Sequence, residues 1–186
     1  MISIYQKAKI NAQQNAIATS IVLVGYANAG KTSLGHKLAL ELNCPFYDTD
    51  AMLTAQSVYA TVREAYQALG KEAFRQLEHQ QLLALNLECK QVIATGGGVV
   101  ERPDNLAILQ SLGMIVYLAW PWPILLQRQV LNPGAFYPKD QKQSDHGQQR
   151  HRLYSLWAEE ICDLTREDED QAFMKLYDKI RGTHGQ

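Results

Sequence analysis

The sequence predicts an α/β fold in which a parallel sheet is covered by helices on both faces. Short apolar segments alternate with helical patterns along the chain, and this alternation is typical of parallel sheets built from strand-helix-strand units. The first apolar segment, Ile21-Val22-Leu23-Val24, leads at once into a glycine-rich loop and then into a helical pattern over residues 33–42. The 186 residues are enough for one domain with an ordinary core.

The remaining elements follow in chain order. Further strands are predicted where short apolar segments stand alone, and further helices where apolar residues recur at helical spacing. Pro103 suits the first turn of its helix. A polar extension over residues 1–20 precedes a single domain over 21–186. The later strands are predicted at 45–48, 91–95, 114–118 and 161–164, and the later helices at 70–87, 103–111, 148–160 and 168–180.

Composition limits the possible partners. With 18 basic and 19 acidic residues, the formal net charge of -1 gives no bulk attraction to nucleic acid or to an anionic membrane. Cys44, Cys89 and Cys162 are far apart and lack C-x-x-C spacing, which indicates neither a disulfide framework nor a zinc site. No apolar run has the length of a membrane span, and no signal peptide is recognisable. We therefore expect a soluble protein in a reducing cytoplasm. A monomer is the oligomeric state that we expect.

The loop after the first strand has the pattern G-x-x-x-x-G-K-[ST], which holds the phosphates of a nucleotide. Its residues are Gly25-Tyr26-Ala27-Asn28-Ala29-Gly30-Lys31-Thr32. Between a strand and a helix, the loop amides and the positive helix N-terminus favour bound phosphate. We expect Lys31 to reach the β- and γ-phosphates and the Thr32 hydroxyl to ligate Mg2+. An ordinary glycine-rich turn with a surface lysine is the alternative.

Two further motifs stand at the ends of predicted strands. Asp48-Thr49-Asp50 follows the second strand, and carboxylates at such ends face the crevice where ligands bind in an open parallel sheet. One carboxylate can hold hydrated Mg2+ while the other orients or deprotonates an attacking hydroxyl. Gly96-Gly97-Gly98 follows the third strand and permits a ligand to approach the backbone closely. The ordinary alternatives are an acidic turn and a tight strand exit.

A charged pair lies on the longest predicted helix. Arg75 and Glu78 are three positions apart, so their side chains can touch. Most such pairs are solvated and contribute little to stability. Glu78 could instead orient Arg75 toward a substrate carboxylate.

In their order along the chain, these motifs resemble those of the shikimate kinase family. The resemblance runs from about residue 21 to 180 and includes GYANAGKT, DTD, FRQLE, TGGG, VYL and RHRLY. It implies a P-loop kinase three-layer sandwich: a five-stranded parallel sheet of order 2-3-1-4-5, flanked by helices, with a mobile lid over ATP. It also implies phosphorylation of the 3-hydroxyl of shikimate, which gives shikimate 3-phosphate and ADP in aromatic amino acid biosynthesis.

The resemblance assigns roles to individual residues. Lys31 is expected to contact the transferred phosphate, and Asp50 to bind the shikimate hydroxyls and act as base. Thr32 and Asp48 are the expected metal-site residues, Asp48 through water. Two fixed arginines can bind a carboxylate by bidentate bonds that lysine would not reproduce. The implied nucleotide site is Gly25, Ala27, Asn28, Ala29, Gly30, Lys31, Thr32, Ser33 and Arg128, and the implied shikimate site is Asp50, Arg75, Gly96, Gly97, Gly98 and Arg150.

Two departures from the family pattern concern single positions. Asn28 replaces a glycine of the nucleotide loop, and asparagine is among the residues best able to adopt a left-handed conformation. Arg152 occupies the proline position of R-x-P-L-Y, so it is a second candidate beside Arg150 for binding the carboxylate.

The third departure lies in segment 129–147, which is polar and long enough to be a lid, a disordered linker being the alternative. Members of the family carry an arginine followed by proline there, whereas this chain has Asn132-Pro133 and no arginine between Arg128 and Arg150. Such an arginine can be worth several orders of magnitude in phosphoryl transfer. Three basic residues could supply the charge instead: Lys139, Lys142 and His146.

Two other functions stay open on the sequence. A kinase could act on another hydroxylated acid with the same chemistry. A diverged protein could bind nucleotide or ligand with little turnover, because loss of the lid arginine removes transition-state stabilisation without abolishing ground-state binding.

Overall fold

The computed structural model describes residues 19–85, 89–131 and 142–183, except the side chains of 142–146 and 183. Within these ranges, strands and helices alternate along the chain. The strands are β1 (Ile21–Val24), β2 (Phe46–Asp48), β3 (Val92–Ala94), β4 (Met114–Ala119) and β5 (Glu160–Asp163); the helices are α1 (Lys31–Glu41), α2 (Thr49–Ala55), α3 (Val62–Leu83), α4 (Asn105–Leu112), α5 (Trp122–Leu131), α6 (Lys142–Trp157) and α7 (Glu169–Thr183), with a 3₁₀ turn at Val99–Glu101.

The five strands form one parallel sheet of order β2-β3-β1-β4-β5, which confirms the predicted fold. Ile21 of β1 pairs with Val92 of β3 on one side and with Met114 of β4 on the other. All residues of β1, β3 and β4 are buried, as expected for central strands covered on both faces. Because buried strands are continuous apolar runs, their predicted bounds are correct to within one residue.

The helix predictions need correction. Helices α2 and α5 were not predicted, α3 begins at Val62 rather than at 70 and ends at Leu83, and α6 spans Lys142–Trp157 rather than 148–160. The first half of α3 is mostly exposed, so it carries no apolar stripe. Its start depends on a cap, since Thr61 Oγ1 accepts a hydrogen bond from the Glu64 amide. Helix α5 leaves Val130 and Leu131 exposed, which obscures its buried face.

The predicted lid lies partly outside the described residues. Positions 129–131 belong to α5 and positions 142–147 to α6, so helices extend into the segment from both ends. The extension over 1–18 and the segment 132–141, with Asn132, Pro133 and Lys139, lie outside the described residues, as do the side chains of Lys142 and His146. The role of this segment stays a prediction.

Two apolar clusters hold the elements together. The larger one surrounds the sheet, and the smaller one joins α2 to α3 through Leu53, Ala65 and Phe74. Burial of a leucine or phenylalanine side chain contributes about 1.5–3 kcal/mol. The smaller cluster therefore fixes the two helices that carry Asp50 and Arg75.

The expectations drawn from composition concern the cysteines, metal sites and membrane spans of the described residues. The cysteines are free thiols, and burial raises the pKa of Cys162 to about 11. Among these residues, no group of three or more histidine, cysteine or acidic side chains is arranged to hold a metal ion. None of their helices combines the length and apolar character needed to cross a membrane.

Candidate active site

The loops that follow the strands enclose a cleft of about 1040 Å³. In an open parallel sheet, this is the edge where ligands bind. Gly25 and Gly96 do not line the cleft, but a β-carbon at either position would contact residues that do, Ala29 for Gly25 and Asp50 for Gly96. The lining residues that the sequence predicted as site residues are Ala27, Asn28, Ala29, Gly30, Lys31, Thr32, Ser33, Asp48, Asp50, Arg75, Gly97, Gly98, Arg128 and Arg150.

The loop between β1 and α1 has an open anion-binding geometry. Asn28 adopts a left-handed conformation with φ of 62°, so the asparagine fulfils the conformational role of the glycine that it replaces. Gly30, with φ of 88°, is the N-cap of α1, and among the described residues no side chain caps this helix start. The first amides of α1 therefore remain available to an anion.

Lys31 lies folded against the same loop. Lys31 is only 8% exposed. Its Nζ donates to the carbonyl oxygens of Gly25 at 2.8 Å and Tyr26 at 2.6 Å. Burial lowers the pKa of Lys31 to about 8, although the nearby carboxylates of Asp50 and Asp48 oppose this shift. An anion in the loop would compensate the desolvated ammonium.

Thr32 and Asp48 form a pair of oxygen ligands beside Lys31. Thr32 Oγ1 donates to Asp48 Oδ2 at 2.6 Å. The other carboxylate oxygen, Oδ1, accepts from the amides of Asp50 at 2.9 Å and Ala51 at 3.1 Å, which caps α2 and fixes the side chain. A hydroxyl and a carboxylate are the donor types that Mg2+ prefers, with water and substrate phosphates as its remaining ligands.

Asp50 and Glu78 meet at Gly96. A β-carbon at Gly96 would lie 2.7 Å from both Asp50 Oδ1 and Glu78 Oε1, so only glycine leaves room for the two carboxyl groups. Burial raises the pKa of Asp50, with Lys31 opposing. Burial also raises the pKa of Glu78, to about 7, with Arg75 opposing. Carboxyl groups with raised pKa values are suited to accept a proton near neutral pH.

Arg75 and Arg150 are bridged by a residue that the sequence analysis missed, Glu101. Arg75 donates through Nη1 to Glu78 and through Nε to Glu101 Oε2 at 3.1 Å. Arg150 donates through Nε to Glu101 Oε1 at 2.7 Å and also through Nη2. Burial opposes ionisation of Glu101, but Arg150 and Arg75 lower its pKa to about 2. The cluster thus joins α3, the 3₁₀ turn and α6.

The glycine run after β3 allows protein groups to approach closely. A β-carbon at Gly98 would overlap the guanidinium of Arg75, and one at Gly97 would lie 3.0 Å from the amide nitrogen of Ala27. Tyr154 of α6 donates to the carbonyl oxygen of Gly97. The run therefore packs Arg75, the nucleotide loop and α6 against one another, and the close approach of a ligand to these glycines stays a prediction.

Arg128 and Arg152 differ in their placement. The guanidinium of Arg128 lies 3.7 Å above the ring of Trp120, and Nη1 donates to the carbonyl oxygen of Asn28 at 3.4 Å. Trp120, also missed from the sequence, donates to the carbonyl oxygen of Ala29 at 3.0 Å. Arg152 is exposed and does not line the cleft, so Arg150 is the arginine of this pair that faces it.

Sequence comparison identifies one family. The family model described as shikimate kinase matches residues 27–181. A shikimate kinase from Syntrophus aciditrophicus is 30% identical over 166 residues, covering 79% of this chain and 83% of that protein. A shikimate kinase from a Nostoc species is 34% identical over 167 residues, covering 87% of this chain and 90% of that protein.

Solved structures give the same result. The shikimate kinase from Acinetobacter baumannii in complex with shikimate has a TM-score of 0.77 and 29% identity, covering 93% of this chain and 96% of that chain. The shikimate kinase from Aquifex aeolicus has a TM-score of 0.74 and 25% identity, covering 89% and 98%. A gluconokinase from Sinorhizobium meliloti, at 17% identity and a TM-score of 0.57, shares the fold alone.

Proposed function

The chain belongs to the shikimate kinase family, and we infer from this that it transfers the γ-phosphoryl group of ATP to the 3-hydroxyl of shikimate. The products are shikimate 3-phosphate and ADP. The observation that carries the inference is one continuous cleft, in which the phosphate-binding loop with Lys31 faces the arginines Arg75 and Arg150. A two-substrate phosphoryl transfer needs both halves within reach of each other.

On the nucleotide side, the uncapped start of α1 and the loop amides bind the phosphates of ATP. Lys31 exchanges its two carbonyl partners for phosphate oxygens, which compensates its buried charge. Arg128, held over Trp120, borders the nucleotide end of the cleft. Thr32 and Asp48 would hold Mg2+, which when bound neutralises charge on the phosphates.

On the acceptor side, Arg75 and Arg150 bind the carboxylate of shikimate, because two fixed guanidinium groups form charge-assisted bonds to it. Asp50 lies close enough to Lys31 and Arg75 that both positive charges act to lower its pKa, against the effect of burial. It binds the acceptor hydroxyls and accepts the proton that leaves the attacking hydroxyl. Its raised pKa favours this transfer.

The direct test is formation of shikimate 3-phosphate by the purified protein with ATP, Mg2+ and shikimate. Product identity is measured by mass spectrometry and its rate by coupled ADP release. The matched control is Lys31→Ala, which we expect to lower turnover by at least about 100-fold, since it removes a preorganised positive charge from the transferred phosphate. Product formation no greater than in this control would contradict the proposed reaction.

Two outcomes of this assay would indicate the alternative functions. If ADP release is faster with another hydroxylated acid than with shikimate, that acid is the preferred acceptor. Calorimetric binding of ATP and shikimate with negligible turnover would indicate a binding protein, for which the segment without arginine between Arg128 and Arg150 gives a reason.

We further propose that the protein acts as a monomer in the cytoplasm. One chain supplies both the nucleotide loop and the arginine pair, so the proposed reaction needs no second copy. Free thiols in Cys44, Cys89 and Cys162 suit a reducing compartment.

A further inference from the structure

Glu101 is the point where the acceptor side of the cleft is tied together. Its Oε1 accepts from Arg150, and its Oε2 accepts from Arg75 Nε at 3.1 Å and lies 3.5 Å from Lys71 Nζ. The side chains of Arg75, Arg150 and Glu101 are only 10–12% exposed. One carboxylate thus bridges two arginines, Arg75 and Arg150, that lie far apart in the sequence.

The bridge supports the arginines from behind. Arg75 and Arg150 line the cleft, whereas Glu101 does not. Each arginine uses its Nε, the nitrogen nearest the side-chain stem, to bind Glu101. Arg150 also donates through Nη2 to Glu101, and Arg75 donates through Nη1 to Glu78, so each guanidinium is held at two nitrogens and restricted in rotation. The remaining terminal nitrogens, Arg150 Nη1 and Arg75 Nη2, are thereby held in a fixed direction. The arrangement is that of a support for two binding groups.

The backbone under Glu101 is rigid enough for such a support. The Glu101 amide donates to the carbonyl oxygen of Gly98 at 2.9 Å, which closes the 3₁₀ turn. The two preceding residues, Val99 and Val100, are each 2% exposed in the core. Asn105 Nδ2 donates to the carbonyl oxygen of Val99 at 2.8 Å. Core packing and hydrogen bonds therefore define the backbone position from which the Glu101 carboxylate extends.

We propose that Glu101 is a positioning residue that sets the spacing of Arg75 and Arg150 and thereby makes the enzyme selective for acceptors with a carboxylate. The proposal rests on the proposed function, in which these arginines bind the carboxylate of shikimate. If Glu101 acted only through its charge, removing that charge would increase the affinity for shikimate, because a negative group near the site repels an anionic acceptor. The direction of the change in affinity therefore separates positioning from charge.

Two substitutions test the proposal. Glu101→Asp keeps the negative charge but is one methylene shorter, so it cannot reach both arginines from the same backbone position. Glu101→Gln keeps the length, but its amide nitrogen must face a donor, because both oxygens of Glu101 accept hydrogen bonds from basic side chains. We expect each change to raise the Kd of shikimate by about tenfold, the effect of a weakened charge-assisted hydrogen bond.

The measurements are isothermal titration calorimetry with shikimate and with a non-hydrolysable ATP analogue, together with the KM for each substrate. We expect the KM of shikimate to rise while the affinity for the analogue stays within about twofold of the wild type. Shikimate methyl ester, which has no negative charge, is the selectivity probe. The preference of the wild type for shikimate over the ester should shrink by about tenfold in both variants, as the loss in Kd requires.

Glu160→Gln is the matched control. Glu160 also pairs with a basic residue, Lys179 at 2.9 Å, and its side chain is 20% exposed, but it does not line the cleft. We expect this variant to bind shikimate like the wild type.

The possible results separate the two levels of inference. If the wild type neither binds nor phosphorylates shikimate, the proposed function fails and the role of Glu101 fails with it. If the wild type binds shikimate and Glu101→Asp binds it equally well, or Glu101→Gln binds it more tightly, only the positioning role is overturned. Unchanged affinity for the ATP analogue shows that a variant is folded, and if Glu101→Gln does not fold, Glu101→Asp decides alone.

Discussion

At the scale of single residues, Lys31 is unusual because its charged ammonium group is buried. Its ammonium group is buried and is bonded to two carbonyl oxygens, those of Gly25 and Tyr26. Carbonyl dipoles compensate only part of the hydration that burial removes, so the pKa falls to about 8. The ligand-free protein therefore begins to lose this charge within the range of ordinary assay buffers.

This leads to a prediction on pH dependence. Lys31 is protonated below its pKa, so on the alkaline side of the profile kcat/KM for ATP should fall above about pH 8. Bound phosphate stabilises the ammonium form, so the fall in kcat at saturating ATP should occur at higher pH. Initial rates between pH 6 and 10, at limiting and at saturating ATP, provide the measurement.

The contrary result is equally clear. If kcat/KM for ATP and kcat fall at the same pH, the alkaline limb of the pH profile belongs to a group that titrates in the ternary complex. Lys31 of the free enzyme is then not its origin. Lys31→Arg is the control, because a guanidinium stays protonated over this range and should remove the limb, whatever the variant's residual rate.

At the scale of elements, the bend of α3 at Gly70 determines how the acceptor side is built. Gly70 has φ of 76° and ψ of 171°, outside the range of helical residues. The segment before it contributes Ala65 to the small cluster with Leu53, and the segment after it contributes Phe74 to the same cluster. The bend lets both halves of α3 pack on one core, which places Arg75 at the cleft.

We predict that Gly70→Ala lowers the free energy of unfolding by about 1–3 kcal/mol, the cost of holding a residue other than glycine in this backbone region. Among the residues that the structure describes, and apart from its own chain neighbours and helix backbone, no atom lies within 4 Å of a β-carbon at Gly70, so steric overlap does not explain the expected loss. Denaturant unfolding, with midpoint and slope fitted, measures the change.

Gly182→Ala is the matched control for this prediction. Gly182 lies in α7 without a positive φ, and it too has no atom of the described part of the chain within 4 Å of a β-carbon, its own neighbours and helix backbone aside. Alanine there should leave stability unchanged or raise it by up to about 1 kcal/mol. Equal effects of the two substitutions would show that the backbone conformation of Gly70 carries no strain for alanine.

At the scale of the whole molecule, the sheet brings residues from distant parts of the chain to one edge. The ion pairs between Lys37 of α1 and Glu169 and Asp170 of α7 are exposed and contribute little to stability. The cleft contains a desolvated ammonium at Lys31 and desolvated guanidinium groups at Arg75 and Arg150. Ligands that compensate these charges should stabilise the fold.

We predict that a non-hydrolysable ATP analogue at 100 times its Kd stabilises the protein by about 2.7 kcal/mol, because it binds the folded state alone. For a chain of this size, the melting temperature should rise by about 5–10 °C. The stabilisation should increase with the logarithm of the analogue concentration, and differential scanning fluorimetry over a concentration series tests this dependence. A melting temperature unaffected by the analogue at calorimetrically saturating concentrations would contradict the prediction, and Lys31→Ala should need a higher concentration for the same shift.

Much of this molecule could be predicted because its signals are local. The strands are continuous buried runs, and the loop from Gly25 to Thr32 is a contiguous motif, so both are visible in the sequence. Helices α2 and α5 were missed for an equally physical reason. Helix α2 has seven residues, and α5 begins between Pro121 and Pro123, so neither shows a long apolar period.

The sequence by itself determined the family, the nucleotide loop and the identity of the arginines that the site brings together. Only the tertiary structure decided that Arg150 faces the cleft and Arg152 does not, that Gly98 makes room for Arg75, and that Glu101 bridges the arginines. The reason is that motifs are properties of neighbouring residues along the chain. Burial, pKa values and contacts between α3, the 3₁₀ turn and α6 depend on distances that exist only after the sheet has formed.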